Sequence, residues 1–188
     1  MAKLILIKHA PPVLDPDVPS PRWVLSAEGR RRCGWLADQL KAQGARALYA
    51  SLEPKALETA ALAGVRLGLD VRARPDLHEN DRTGLGFGTA EALRATIRAF
   101  FERPAERVMG EETAAQALAR FEAAIRRLLA ETPGQSVAVV THGTVLTLLT
   151  GRYNPIAAYD FWNGLALPSL VTLDRDSFLL DRAPLGHP

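Results

Sequence analysis

Two short stretches of the chain share one pattern. One reads Leu4-Ile5-Leu6-Ile7-Lys8-His9-Ala10 and the other Val137-Ala138-Val139-Val140-Thr141-His142-Gly143. Each is an apolar tetrad, one spacer, a histidine and a small residue. Four consecutive apolar residues, most of them branched, suit a strand covered on both faces, and a half-solvated strand would alternate instead. The pair therefore predicts a parallel sheet sandwiched between helices. It also puts both histidines at the carboxyl ends of buried strands, the edge where open α/β sheets form their ligand crevice. If the two strands are neighbours, the rings converge on one small object.

The rest of the chain fills in around these strands. Residues 11–21 hold five prolines, which predicts an ordered loop. Ser26 reads as an N-cap for a helix that carries Cys33, Leu36, Ala37 and Leu40 and stops at Gly44. A strand follows at 47–51, then a helix opened by Pro54 and closed at Gly68. A weak strand lies within 69–79. Residues 80–88 are polar and Gly-rich, and Gly84-Leu85-Gly86-Phe87-Gly88 reads as a flexible surface loop. Thr89 caps one helix, and another begins near Glu112 or Thr113. The second tetrad strand is followed by a helix over 143–150. Asn154-Pro155 reads as an N-cap and first-turn pair. Strands near 169–173 and 177–181, joined through Asp174-Arg175-Asp176, read as a hairpin. The order β-α-β-α-β-α-α-β-α-α-β-β predicts a three-layer α/β/α fold with a mainly parallel central sheet and an antiparallel edge. No internal linker divides it, so residues 1–188 are expected to form one domain.

Composition narrows the function classes. Of the 188 residues, 47% are hydrophobic and 23% charged, which excludes a disordered tail or a disulfide-stapled miniprotein. The net charge is only +2, and the densest basic run, Arg30-Arg31-Arg32, reads as the solvated face of a helix, so no nucleic-acid partner is expected. No apolar run approaches a membrane span of about 18 residues, so no membrane partner is expected either. The single Cys33 sits at a helix core position and fits a reducing cytoplasm. Neither strand-end histidine has a His-x-x-x-His or His-x-His spacing, and there is no cysteine cluster to support a metal site.

The histidine segments resemble motifs of the histidine phosphatase superfamily, in its phosphoglycerate-mutase-like branch. Leu6-Ile7-Lys8-His9-Ala10 resembles that family's Leu-x-Arg-His-Gly. Leu25-Ser26-Ala27-Glu28-Gly29-Arg30 is similar to its Leu-Thr-x-x-Gly-x helix opener. Ala50-Ser51-Leu52-Glu53-Pro54-Lys55-Ala56-Leu57-Glu58-Thr59-Ala60 is similar to its Ser-Ser-x-x-x-Arg-Ala-x-x-Thr-Ala block. Leu77-His78-Glu79 resembles the segment that carries the acid, Gly110-Glu111-Glu112, with Arg120 eight residues after Glu112, a variant of a Gly-Glu-Ser opener, and Val139 to Gly143 the second histidine motif. Each block alone is weak, but six in the family's order are specific. The resemblance implies a phosphomonoester hydrolase acting on a small phosphorylated metabolite or a phosphoprotein. It implies His9 as the nucleophile, His142 as a ligand for the transferring phosphoryl group and Glu79 as the proton donor and acceptor. Lys8, Lys55 and Gly143 would bind phosphate. No metal or organic cofactor is implied.

The chain departs from the family where phosphate would sit. Lys8 and Lys55 stand in place of arginines, which keeps charge and loses the bidentate fork. The chain has 19 arginines and 4 lysines, so two lysines at those two positions would arise by chance about once in forty draws. Ala10 replaces a glycine, so the backbone there should avoid positive φ. Glu112 replaces a serine and adds negative charge near an incoming anion. Three readings follow: a phosphatase with a lysine-lined pocket, a relative that binds an anionic ligand or partner without turnover, and a mutase. Only about 30 residues separate Glu79 from Gly110, too few to close a pocket over a retained phosphoryl group, which disfavours the mutase. Arg22, Trp23, Arg82, Tyr159 and Trp162 are candidate substrate walls.

Overall fold

The structure is a computed structural model, and it describes residues 2–82 and 89–188. The loop reading for Gly84 to Gly88 lies outside the described residues. Six strands form one sheet: β1 (Lys3–Lys8), β2 (Ala47–Ser51), β3 (Val71–Arg74), β4 (Val137–Thr141), β5 (Ser169–Asp174) and β6 (Leu185–Gly186). Their spatial order is β3-β2-β4-β1-β5-β6. The first four run parallel, and β5 and β6 form an antiparallel edge. Six α-helices flank the sheet: α1 (Ala27–Ala42), α2 (Pro54–Leu67), α3 (Ala90–Glu102), α4 (Ala114–Glu131), α5 (Gly143–Tyr153) and α6 (Ala158–Gly164).

The apolar tetrads divide between two cores, as period-2 alternation requires. Leu4, Leu6, Val137 and Val139 face α3, α4 and α5, where they meet Phe100, Phe121, Ile125 and Leu146. Ile5, Ile7, Ala138 and Val140 face α1 and α2, where they meet Leu36, Leu40, Ala56 and Ala60. Both tetrads are fully buried. The helices begin and end where local chemistry dictates. The Ser26 side chain accepts from the Gly29 amide, and Thr113 with Gln116 forms a reciprocal capping box. Gly44 and Gly68 take the positive φ that ends α1 and α2. Arg30 and Arg31 are exposed on α1, and all three arginines of that run pair with Glu28 or Glu58. Cys33 is buried in the helix core, and burial pushes its thiol up to about 11.

Two expectations fail near the C-terminus. Asn154-Pro155 does not start a helix. Asn154 closes α5 instead, its side-chain amide donating to the Thr150 and Phe178 carbonyls. At an N-cap its side-chain oxygen would accept from a backbone amide, whereas here the side-chain nitrogen donates to carbonyls at the opposite end of a helix. The return arm expected over 177–181 makes one bridge, Leu173 to Leu180. Asp174 accepts from the amides of Asp176 and Ser177 and turns the chain, and Phe178 at φ +59 bends it again. The edge position passes to β6.

Truncation at Phe121 removes a fully buried ring, whereas Val65 is 84% exposed. Urea denaturation should show Phe121→Ala losing about 3–5 kcal/mol and Val65→Ala staying within about 0.5 kcal/mol of the parent.

Candidate active site

The register of β1 against β4 builds the site. Lys8 lies opposite Thr141, so His9 and His142 leave the two strands side by side. The His9 amide donates to the Thr141 carbonyl at 3.1 Å, and the ring centroids are 5.2 Å apart. His9 Nδ1 is 2.8 Å from the Ala10 carbonyl oxygen. A carbonyl only accepts, so Nδ1 carries the hydrogen and Nε2 keeps its lone pair. Burial first, then the neighbouring His142, hold the His9 ring well below the usual imidazole value. The ring is neutral at pH 7. Ala10 has no positive φ, and its amide donates to Thr59 Oγ1 at 3.0 Å, which pins the turn after His9 to α2.

His142 is fully buried. Its Nε2 lies 3.0 Å from Ser51 Oγ and 3.3 Å from Glu53 Oε1. Its Nδ1 has no hydrogen-bond partner among the described residues. Burial lowers the ring to about 3. His142 is therefore neutral at pH 7, and an imidazolium there would need a nearby negative charge.

Glu79 is brought to the same crevice. Thr141 Oγ1 donates to the Leu77 carbonyl at 2.7 Å and ties that segment to the end of β4. The Glu79 carboxylate accepts from the Thr144 amide at 3.1 Å and the Val145 amide at 3.2 Å. These are first-turn donors of α5, the usual anion-binding end of a helix. Arg120 clamps the segment from below, donating to the carbonyls of Asp76, His78 and Glu79. Its fork also engages Glu112, at 2.6 and 3.2 Å. Glu112, expected to oppose an incoming anion, is thus neutralised by Arg120 and accepts from the Asp81 amide at 3.0 Å. Gly110 makes this packing possible: its φ is +64, and a Cβ there would lie 1.9 Å from the Asp81 carbonyl oxygen.

The two lysines reach the site differently. Lys8 Nζ donates to the Leu165 carbonyl at 2.8 Å and lies 5.9 Å from the Trp162 ring centroid. Burial lowers it to about 8, opposed by the nearby Glu79 charge. Gly143 opens α5 beside it, and a Cβ there would come within 3.3 Å of Lys8 Cε and 3.1 Å of Trp162 Nε1. Lys55 is buried, pairs with Glu53 and donates to the Ser20 carbonyl at 2.7 Å, which fastens the Pro-rich loop to the site. Arg82 donates to Glu79 Oε2 at 3.2 Å and to Thr144 Oγ1 at 3.0 Å. It adds a guanidinium at the mouth of α5. Trp162 flanks Lys8, and Tyr159 lies between Trp162 and Arg98. Trp23 donates its indole hydrogen to the Asp15 and Val18 carbonyls and closes the Pro-rich loop.

Glu53 and Arg120 were missed as site residues. Glu53 had a signal: a charged residue at a strand–helix junction, two positions before Lys55. Arg120 had only its spacing from Glu112. A cavity of about 530 Å³ opens beside Glu53 and Glu79, walled also by Ser20, His78, Arg82 and Arg120. Another, of about 310 Å³, lies at the amino ends of β2 and β3, on the sheet edge opposite the histidines. Among the described residues, no group of three or more His, Cys, Asp or Glu side chains is arranged to hold a metal ion.

The family model of the histidine phosphatase superfamily (branch 1) matches residues 15–179. The chain belongs to this superfamily, which places it among phosphatases. The match begins after His9, so the structure supplies the juxtaposition of the two histidines. Among solved structures, the chain is similar to mycobacterial glucosyl-3-phosphoglycerate phosphatase, at 21% identity and TM-score 0.74 over 96% of this chain and 97% of that one. It is similar to YhfR of Bacillus stearothermophilus, at 20% identity and TM-score 0.75 over 100% and 98% of the two chains. It is also similar to phosphoserine phosphatase of Entamoeba histolytica, at 17% identity and TM-score 0.74 over 98% and 94%. At these identities the likeness is one of fold. No curated protein matches the chain.

Two pH dependences follow. Burial brings Lys8 down to about 8, so if Lys8 holds phosphate as the family resemblance implies, affinity should fall as pH rises through that value. Lys8→Arg should hold affinity level to about pH 9.5, because guanidinium stays charged; calorimetric titration with phosphate across pH 7–9.5 checks this. His142 is lowered in the fold, so the unfolded chain binds its proton first. Stability from that difference is complete above about pH 6.5 and drains toward pH 3, by at most about 1.4 kcal/mol per pH unit. Urea midpoints against pH should show a shallower acid slope for His142→Gln.

Proposed function

We propose that the chain is a phosphomonoester hydrolase that works through a phosphohistidine on His9, with residues 1–188 forming one catalytic domain. The observation that carries this reading is the His9 tautomer. Nδ1–H is committed to the Ala10 carbonyl, which leaves a neutral Nε2 lone pair on a ring whose centroid is 5.2 Å from that of His142, within the fields of Lys8 and Lys55. Nε2 attacks phosphorus in line as the ester oxygen departs. One N–P bond forms and one P–O bond breaks. Glu79 first takes up a proton from solvent or from the monoanionic phosphomonoester, gives it to the leaving oxygen, and as the carboxylate takes one from the water that breaks the N–P bond. Lys8, Lys55, Arg82 and the Gly143 end of α5 neutralise the transferring group.

His142 supports the reading as a ligand that charges on demand. An oxyanion about 4 Å away stabilises a positive ring by about 4 kcal/mol per charge at an effective dielectric of about 20. That equals about three pKa units, enough to bring a ring that titrates at about 3 close to protonation at neutral pH. The unpartnered Nδ1 is the atom left to donate.

We place the substrate among small phosphorylated metabolites. The phosphatases of like fold are described as acting on glucosyl-3-phosphoglycerate or as binding phosphoserine, each a phosphomonoester of a small acid. The Arg98, Tyr159 and Trp162 stack beside Lys8 would meet the leaving group. A reducing cytoplasm suits the lone, buried Cys33. The reading without turnover draws on one observation, the Lys55 charge already matched by Glu53.

With p-nitrophenyl phosphate or a panel of phosphorylated metabolites, wild type should release phosphate and His9→Ala should lose at least about a thousandfold in kcat/KM. Equal release by both proteins would overturn the enzyme reading. Phosphate-dependent thermal stabilisation without turnover would favour the binder.

A further inference from the structure

Glu53 is a buried carboxylate that the family motif does not call for. A buried carboxylate is costly unless paired and hydrogen-bonded. Its recorded partners all belong to the candidate site. Oε2 pairs with Lys55 Nζ. Oε1 accepts from the Glu79 amide at 2.9 Å and stands 3.3 Å from His142 Nε2. One side chain thus touches the second histidine, the backbone of the proton donor and a cradle lysine.

The geometry of His142 gives this placement a consequence. Ser51 Oγ and Glu53 Oε1 both face Nε2, while Nδ1 is buried and unpartnered. A ring that donates from Nδ1 to an oxyanion must either switch tautomer or take up a proton. A carboxylate at Nε2 favours the second course, because it holds the Nε2 hydrogen and shares the positive charge. Other charged or titratable groups around the ring divide. Glu79 attracts a positive ring, whereas Lys55, Arg82 and His78 repel it, and His9 faces it edge-on.

We propose that Glu53 is the positioning residue for His142: its carboxylate is the buried counter-ion that lets the ring take up a proton when an oxyanion enters the site. The proposal rests on the reading of this crevice as a phosphoryl-transfer site and adds a proton-coupled binding step to it. Glu53 serves Lys55 as well, so removing its charge acts in two directions. Lys55 is freed to attract the anion, and His142 loses the partner that stabilises its charged form.

The test uses sulfate, an oxyanion with two charges and no proton to exchange at pH 7. Calorimetry in buffers of different ionisation enthalpy reads the protons taken up on binding. Wild type should take up close to one proton per sulfate, and Glu53→Gln less than half as much, with sulfate affinity equal or tighter. In turnover, Glu53→Gln should lower kcat by about tenfold or more without raising the inhibition constant for sulfate. Glu53→Asp, which keeps the charge, should restore proton uptake. A merely structural Glu53 would weaken sulfate binding and kcat together and leave uptake per bound sulfate unchanged, which overturns the proposal. If Glu53→Gln does not fold, nitrogen NMR of the wild-type ring decides. His142 shifting to the imidazolium form on sulfate addition supports the proposal, and a ring that stays neutral overturns it. Proton uptake in a wild type that hydrolyses no phosphomonoester would contradict the hydrolase reading and leave this one standing.

Discussion

Parallel pairing of β1 with β4 puts Lys8 opposite Thr141, and the next residue on each strand is a histidine. The rest of the site depends on that register. Each tetrad alternates between two cores, so a one-residue slip would turn Leu4 and Leu6 toward α1 and α2 and disturb both layers at once. The hydrophobic pattern that fixes the fold therefore also fixes the distance between the two rings. The other parts arrive from the elements that follow these strands. Ser51 and Glu53 come from the end of β2, the Glu79 segment hangs from Thr141, and Gly143 opens α5.

The charges at the site form a compact balance. Three cations, Lys8, Lys55 and Arg82, stand with two carboxylates, Glu53 and Glu79. Arg120 and Glu112 cancel each other while holding the Glu79 segment. Burial is the largest cause that keeps both histidines neutral at pH 7. On the proposed reading, an arriving phosphoryl group would reverse the sign of that pressure on His142. Lys8 would make the proposed phosphate site sensitive to pH where an arginine would not, because burial brings its ammonium within reach of physiological pH and would leave a guanidinium charged.

Much of this was legible in the sequence. The order of strands and helices, the N-caps Ser26 and Thr89 and the stops at Gly44 and Gly68 follow local rules that the structure obeys. The strand-end position of His9 and His142 was legible in the tetrads; their meeting was legible only on condition that the strands are neighbours, and the structure pairs them. What the sequence hid is non-local. Arg120 grips the Glu79 segment across 41 residues. Glu53 gains meaning only when β2 lies beside β4. Asn154 misled because its amide side chain serves either end of a helix, and tertiary contacts with Phe178 and Leu180 chose the C-terminal one. The hairpin at 174–176 has the right turn residues, but buried Phe178 pulls the return arm out of the sheet.

The central claim is that His9 Nε2, left unprotonated by the Ala10 carbonyl, bonds covalently to phosphorus. Millisecond quenching in base during turnover, followed by peptide mass spectrometry, tests it most directly. A phosphoryl group on His9, stable in base and lost in acid, is the result this account predicts. Sustained phosphate release with no phosphoryl group on His9 at any quench time, or with the group on another residue, would contradict it.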